Sequence, residues 1–503
     1  MVVFPYIGSE NLGITYLSSV LKTRGIKTKL AFEPSLFDDT KFLHIPSIPR
    51  LFRYNEKFAN YIVSLKPKIL AFSVFTMNCL WALDIAERVK RKIDVITVFG
   101  GVHVQAVTAE VLMYPQVDYI ILGEGEYALC ELAESILNGK VDLSTKNLGY
   151  RKGSEIVLNP IRPFIETLDE LPFPDRDMFA EVEDFRESML FLCGRGCPFK
   201  CTFCSNSMMR NQYPNKNKFV RFHSVDRCLE EMKLLIEKYN PKHFQIQDDV
   251  FTINTRWMKD FCLSYQAEIG LPFQVAGYPS TLNEEKFSIL KQAGCDSIQV
   301  GIQSLNKDNR KNILKRYEKD EDISNCIKWA RQYDIGISVD YIFFPWENNE
   351  HDQLKAAHFF HEHRPTRIAN FFLSYLPGTE IIDYAEKNGY IKKELKADIK
   401  NGKSAYYHSG GEFMANKQNL RFFNGFYNLF MLLIILPKPL GSFLLFNKKA
   451  YRYTYFIPKI MLLIIKEYLI PFFSKKTRKA PTLVKYAKYY IKNLRTFVTG
   501  RYE

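Results

Sequence analysis

The chain has 503 residues, 47% hydrophobic and 25% charged; these values are close to globular averages, exclude a disordered or fibrous chain, and leave room for roughly two to four domains. The formal net charge of +14 invites nucleic acid as a partner, but residues 401–503 hold 18 Lys/Arg against 3 Asp/Glu, so the first 400 residues are near neutral and the tail carries the excess. Ten cysteines are too few for a disulfide scaffold, and three of them fall within eight positions, as metal ligands do in a reducing compartment.

The first 16 residues show neither a basic flank nor a long apolar run, so no signal peptide is visible and a cytoplasmic location is expected. Residues 1–6 form an apolar first strand candidate, and 12–23 space their apolar residues as a helix does. Strand-like runs follow at 69–74, 95–99 and 119–122, with helical stretches at 79–89, 109–114 and 128–137 between and after them. This β-α-β-α order predicts an α/β domain over 1–140, with an open, doubly wound parallel sheet. Residues 141–187 are Pro-rich and read as a linker.

From 188 to 390 strands alternate with helices again. Strand candidates at 189–193, 243–246, 273–276, 297–302, 336–344 and 368–375 make six units of a full or partial (β/α) barrel, whose chemistry gathers at the carboxyl ends of the strands. The region 391–503 is basic, apolar and helical. Its run 422–436 has no charge, and 455–473 is broken by Lys459, Lys466 and Glu467; both fall short of the ~20 clean apolar residues of a membrane span.

The sharpest feature is Gly196-Cys197-Pro198-Phe199-Lys200-Cys201-Thr202-Phe203-Cys204, directly after a predicted strand. A four-iron cluster usually takes four cysteines, so three on one loop leave one iron open to a chelating substrate. A structural zinc site wants four closed ligands, and no second CxxC or HxxxH supplies a fourth. Cys193, four residues upstream, falls in the predicted strand and reads as a packing residue.

CxxxCxxC with an aromatic before the last cysteine, opening a (β/α) barrel, resembles the radical S-adenosylmethionine (SAM) superfamily. Upstream, Leu12-Gly13-Ile14, Gly100-Gly101-Val102-His103-Val104, Val117-Asp118-Tyr119 and Gly123-Glu124-Gly125-Glu126-Tyr127 resemble the cobalamin (B12)-binding domain of its B12-dependent branch. The resemblance covers about residues 1–390. It implies a flavodoxin-like first domain and a TIM-type partial barrel. It implies a 4Fe–4S cluster on Cys197, Cys201 and Cys204, with SAM chelating the open iron. One electron from a flavodoxin- or ferredoxin-type donor then cleaves SAM to methionine and a 5′-deoxyadenosyl radical, which takes hydrogen from an unactivated carbon.

Further positions follow from the motifs. Gln247-Asp248-Asp249 ends the second barrel strand, near the methionine part of SAM in the family; its carboxylates orient the ammonium, act in acid–base work, or cap the next helix. Gln303 stands where the family often has a ribose-binding Glu, beside Ser304. Phe343-Phe344-Pro345-Trp346-Glu347 replaces a glycine-preferring segment on the adenine side, and Pro377-Gly378-Thr379 matches the family's PGT turn. For cobalamin, three loops lie at the sheet's carboxyl edge: 73–78 with Ser73 and Thr76, 100–104 with Gly100, Gly101 and His103, and 123–127 with Gly123, Glu124, Gly125 and Glu126. The DxHxxG motif of an axial histidine is absent; His44 lacks its Asp and Gly, and His103 reads as a loop hydrogen-bonder.

The expected function is radical methyl transfer to an unactivated carbon of a small-molecule or lipid substrate. Radical oxidative cyclisation or rearrangement is the alternative with the same cofactors, and a cobalamin- or redox-sensing protein the alternative of another class. For the tail, packing over the barrel mouth competes with peripheral contact to a membrane surface and with an anionic substrate or protein partner. Nucleic acid is not expected, because the tail's aromatics sit in apolar runs.

Overall fold

The computed structural model describes residues 1–36, 54–403, 417–447, 450–458, 461–462 and 480–502. His44, the basic cluster at 475–479 and most of the apolar run 455–473 lie outside the described residues.

Strands β1 (Val2–Ile7), β2 (Thr28–Glu33), β3 (Ile69–Ser73), β4 (Ile96–Gly100) and β5 (Tyr119–Ile121) form a parallel sheet in the order β2-β1-β3-β4-β5. The chain runs outward from β1 to β2 and returns across β1 to β3. That reversal opens a crevice at the carboxyl edge, the usual ligand position of such a sheet. Strand β2 is absent from the sequence reading because the polar Thr28 and Lys29 interrupt the apolar signal, although Leu30, Ala31 and Phe32 are buried. The segment read as a linker adds β6 (Leu148–Lys152) and β7 (Glu155–Leu158), an antiparallel hairpin on the β5 edge. Gly153, at φ +62°, makes its tight turn possible.

In the second unit, β8 (Met189–Phe191), β11 (Phe244–Ile246), β12 (Phe273–Gly277), β13 (Cys295–Gln303), β14 (Gly336–Phe343) and β15 (Arg367–Phe372) stand parallel and in chain order, with β8 and β15 at the two edges of a partial (β/α) barrel. A short ribbon, β9 (Gly194–Arg195) with β10 (Arg221–Phe222), frames the cysteine loop. Four barrel helices start on polar caps: Ser224, Asn254, Asn283 and Asn349 each accept a backbone amide of the first turn.

The described parts of the tail pack at two places. Helix Lys417–Ile435 packs Phe423 and Phe430 against Phe343 of β14, with ring centroids 5.2 and 5.8 Å away. Helix Ala480–Thr499 instead straps the first domain: Tyr489 donates to the Gly8 carbonyl at 2.8 Å, Lys488 to Glu187 at 2.6 Å, and Asn493 to the Val182 carbonyl at 3.0 Å. The physical reason is pairing. The helix's Lys488 meets Asp184 and Glu187 of the acidic stretch 181–187. Among the described residues no helix is long and apolar enough to cross a membrane.

Candidate active site

A cavity of about 410 Å3 lies where the carboxyl edge of the first sheet faces the cysteine loop. One wall comes from β1, β3, β4 and β5 and the loops after them: Phe4, Phe72, Ser73, Gly100, Gly101, Gly123, Glu124, Gly125 and Glu126. The other wall comes from the barrel: Arg195, Gly196, Asn206, Met209, Gln247 and Asp249. Its apolar lining with a few convergent polar groups is the general form of a small-molecule or cofactor site.

The first wall is built by close backbone approach. Val74 donates to the Gly100 carbonyl at 2.8 Å, and its own carbonyl accepts from His103 N at 3.1 Å. Gly101 sits at φ +103°, where a Cβ would stand 2.7 Å from the Val74 oxygen and 2.8 Å from its nitrogen. Only glycine fits there. Gly123 is pressed likewise, with a Cβ position 2.5 Å from the Tyr213 hydroxyl of the barrel. Thr76 and His103 lie behind this wall instead of lining the cavity. They are buried and share a 3.1 Å hydrogen bond between His103 Nδ1 and Thr76 Oγ1, and burial lowers the His103 pKa to about 4, which keeps the ring neutral.

On the second wall, Gly196 turns the chain into the loop at φ +90°, packed on the Phe219 carbonyl. Cys197 and Cys204 are half-buried and Cys201 is buried. Burial holds their thiols high, Cys197 at about 12 and Cys204 at about 11. Each neighbouring cysteine adds to the cost of a bare thiolate, so these sulfurs await a compensating cation. Among the described residues no three His, Cys, Asp or Glu side chains form a single-ion group. A zinc ion would draw its sulfurs within about 4 Å of one another (Zn–S about 2.3 Å), whereas a cubane takes one thiolate on each of three irons. The donor set is compatible with the cubane. Cys193 is no part of the loop: it is fully buried in the barrel core beside Cys228.

Burial of Cys201 also raises its thiol, and Arg316 opposes that rise. The Arg316 guanidinium stands 3.7 Å from Cys201 Sγ, bonded to Glu318 at 2.7 Å and to the Gly301 carbonyl at 2.5 Å. It lies over the Tyr278 ring at 4.3 Å, and Tyr278 stacks on Phe199 of the loop. Sequence reading passes over this group because Lys315-Arg316-Tyr317-Glu318-Lys319 reads as an ordinary charged turn; only burial separates Arg316 and Glu318 from their neighbours.

The acidic pair of the 123–127 loop is neutralised from the barrel side. Arg195 contacts Glu124 at 3.1 Å and Glu126 at 2.8 Å, and Arg221 contacts Glu124 at 2.9 Å. Burial raises the Glu124 pKa, but the hydrogen bond and charge of Arg221, the charge of Arg195 and the Ile165 amide outweigh it, and the carboxylate ends below its ordinary value. Both arginines are therefore spoken for.

The remaining candidates divide. Gln247 and Asp249 face the cavity, and Asp249 accepts from Asn206 at 2.7 Å. Asp248 turns inward and accepts the amides of Cys193 at 2.8 Å and Gly194 at 3.1 Å, so it braces the strand end that launches the cysteine loop. Its burial lifts its pKa to about 7. Ser304 and Glu347 are buried together, Ser304 Oγ donating to Glu347 at 2.5 Å alongside Asn309. Gln303 takes φ +60° at a bulge in β13, with its amide folded over Gly301. Pro377-Gly378 forms the turn after β15, and Gly378, at φ +76°, packs on Ala106 of the first domain and Met208 of the helix after the cysteine loop. Of the positions named from the sequence, the structure thus gathers Ser73, the four glycines, the two glutamates and Gln247 on one cavity. It leaves Thr76, His103, Asp248, Ser304 and Glu347 in supporting positions.

Two families match the chain: the radical SAM superfamily over residues 191–357 and the B12 binding domain over residues 8–133. An uncharacterized methyltransferase of Pyrococcus horikoshii is 27% identical over 389 residues, covering 76% of this chain and 79% of its own. Among solved structures, the radical SAM methyltransferase TsrM of Kitasatospora setae, with cobalamin and a 4Fe–4S cluster bound, superposes with a TM-score of 0.62 at 16% identity, covering 78% of this chain and 79% of that one. The cobalamin-dependent SAM radical enzyme OxsB, with aqua-cobalamin and SAM bound, superposes at 0.63 and 16% identity, covering 99% of this chain and 79% of that one. These likenesses establish the fold. The two family matches, each lying on its own domain and meeting at one cavity, imply a 4Fe–4S cluster with SAM and a cobalamin. The chain is a member of the B12-binding radical SAM enzymes.

Proposed function

We propose that this protein transfers a methyl group to an unactivated carbon of a small-molecule or lipid substrate. The observation that carries the reading is the shared cavity: the glycine loops of the first domain line it together with Gly196 and Asn206, which flank the three cysteines of the barrel loop, although the cysteines themselves do not line it. A methyl carrier and a radical source that serve one carbon must face each other, and holding reactants in place is the main contribution of such a protein. A sensor would need only one of the two walls.

In this reading Cys197, Cys201 and Cys204 hold the cluster, and the loops carrying Ser73, Gly100, Gly101 and 123–126 hold cobalamin. When bound, the cluster supplies an electron to SAM and cobalamin supplies the methyl group. The chain's residues do the rest. Asp248 fixes the start of the cysteine loop through two backbone amides. Arg195 and Arg221 lock the 123–127 loop at its distance from that loop. Phe4, Phe72, Leu192 and Met209 line the space between with apolar surface and exclude water. A flavodoxin- or ferredoxin-type protein delivers the electron.

The test is product analysis. Reduced, reconstituted enzyme supplied with SAM and candidate substrates yields both deoxyadenosine and S-adenosylhomocysteine. Deoxyadenosine without S-adenosylhomocysteine would replace methylation with rearrangement or cyclisation, and the absence of both would end the enzymatic reading.

A further inference from the structure

The two helical pieces after helix Lys417–Ile435 are built differently from it. That helix buries Phe423, Phe426, Phe430 and Leu433 on the barrel wall. The next, Lys438–Phe446, turns inward only at Gly441 and Leu445, with Gly441 pressed on the His361 ring. Its outer face carries Leu440, Phe443 and Phe446, which are 52%, 61% and 78% exposed and spaced three apart on one side of the helix. Tyr453 and Phe456 follow, 66% and 73% exposed. Single exposed apolar residues are ordinary, but a succession of large ones within one short stretch marks a contact surface.

Charge says what kind of surface. Between 413 and 466 the chain has eight Lys/Arg and no Asp/Glu. Lys438 opens the helix, and Arg452, exposed and 3.8 Å from Glu350, precedes Tyr453. Large apolar side chains within an exclusively basic stretch are complementary to the interfacial region of an acidic bilayer: acyl chains take the rings, and phosphate headgroups take the lysines. A protein partner would have to present an acidic ring around an apolar centre, and nothing in this stretch shows the carboxylates that set a register with one. None of these residues lines the cavity, so the surface is separate from the active site.

We propose that Leu440, Phe443, Phe446, Tyr453 and Phe456 dock this enzyme on the surface of a membrane rich in acidic phospholipid, without crossing it. The proposal is independent of the methyl-transfer reading, because it concerns where the enzyme works and not which bond it makes.

Vesicle flotation of the full reconstituted chain tests it, with vesicles of phosphatidylcholine alone and vesicles containing a third phosphatidylglycerol. The parent floats with the acidic vesicles, and raised salt weakens the binding. The triple variant F443S/F446S/F456S loses at least tenfold in bound fraction. It retains its cluster, its corrin and its rate of deoxyadenosine formation, since these side chains are exposed and remote from the cavity. Failure of the parent to float with acidic vesicles overturns the proposal. So does equal flotation of parent and variant, or a parent that self-associates in sedimentation and loses that association, not lipid binding, on the triple change. A variant that has lost its corrin is replaced by K438E/R452E, which keeps the rings and must lose the preference for acidic vesicles.

Discussion

The guanidinium of Arg195 lies 2.8 Å from the carboxylate of Glu126, and Arg195 stands two residues before Cys197. One buried ion pair therefore ties the glycine loop of the first domain to the start of the cysteine loop. The distance between the two halves of the site rests on this pairing between a barrel arginine and a carboxylate of the first domain.

Breaking that tie from one side leaves charge stranded. Arg195→Gln abandons Glu124 and Glu126 with Arg221 alone to balance them, and removing one partner of a buried pair costs about 3–5 kcal/mol. The expected result is a clear fall in melting temperature and a protein that loses its corrin on gel filtration. An unchanged melting temperature and full corrin retention would show that Arg221 suffices.

The cysteines separate by role. Cys201→Ala should lower iron and sulfide content severely and abolish deoxyadenosine formation while leaving corrin absorbance in place. Cys193→Ala should leave iron content unchanged and cost about 1 kcal/mol through lost core contacts. Iron loss in the Cys193 variant would make it a cluster ligand.

Gly101→Ala places a methyl group within 2.8 Å of the Val74 backbone at a positive φ. Both effects act on the same loop, and strain of this kind costs of order 1–3 kcal/mol. Corrin retention should fall, with iron content preserved. The same change at Gly139, which has open space around it and also a positive φ, carries only the conformational part of the cost.

Glu347 is buried, with a pKa lifted to about 7 by desolvation against the ordinary 4.5. The folded state binds its proton more tightly than the unfolded state does. Its contribution is therefore harmless below about 4.5, becomes destabilising as pH rises towards 7, and stays so above. Glu347→Gln keeps an oxygen for Ser304 and Asn309 and removes the charge. Thermal unfolding should show the variant more stable than the parent at pH 8, by on the order of 3 kcal/mol at most, with the gap closing by pH 5. A constant difference across that range would place the carboxyl in a more polar setting.

Much of the site is legible in the sequence because its signals are local. The cysteine spacing lies on one loop, and Gly100-Gly101 and 123–126 each follow an apolar strand, so residue type and adjacent pattern suffice. Cys193 reads as core for the same reason: it continues the alternation of β8. Asp248 shows the limit. Its position after β11 marks it as a strand-end carboxylate, but whether it faces a ligand or the Cys193 and Gly194 amides depends on where β8 ends beside it.

Short-range periodicity and spacing were enough to specify the two α/β units and the three-sulfur loop, and the resemblance carried by their motifs implied the cofactor classes. Packing alone established that the glycine loops and the barrel residues flanking the cysteines line one cavity, that Arg195 and Arg221 join the two sides, that Arg316 reaches Cys201, and that helix Ala480–Thr499 packs on the first domain. Each of those pairs residues tens to hundreds of positions apart. Their partners are chosen by burial: an arginine taken out of water must find a carboxylate or a sulfur, and only the packed chain says which one is within reach.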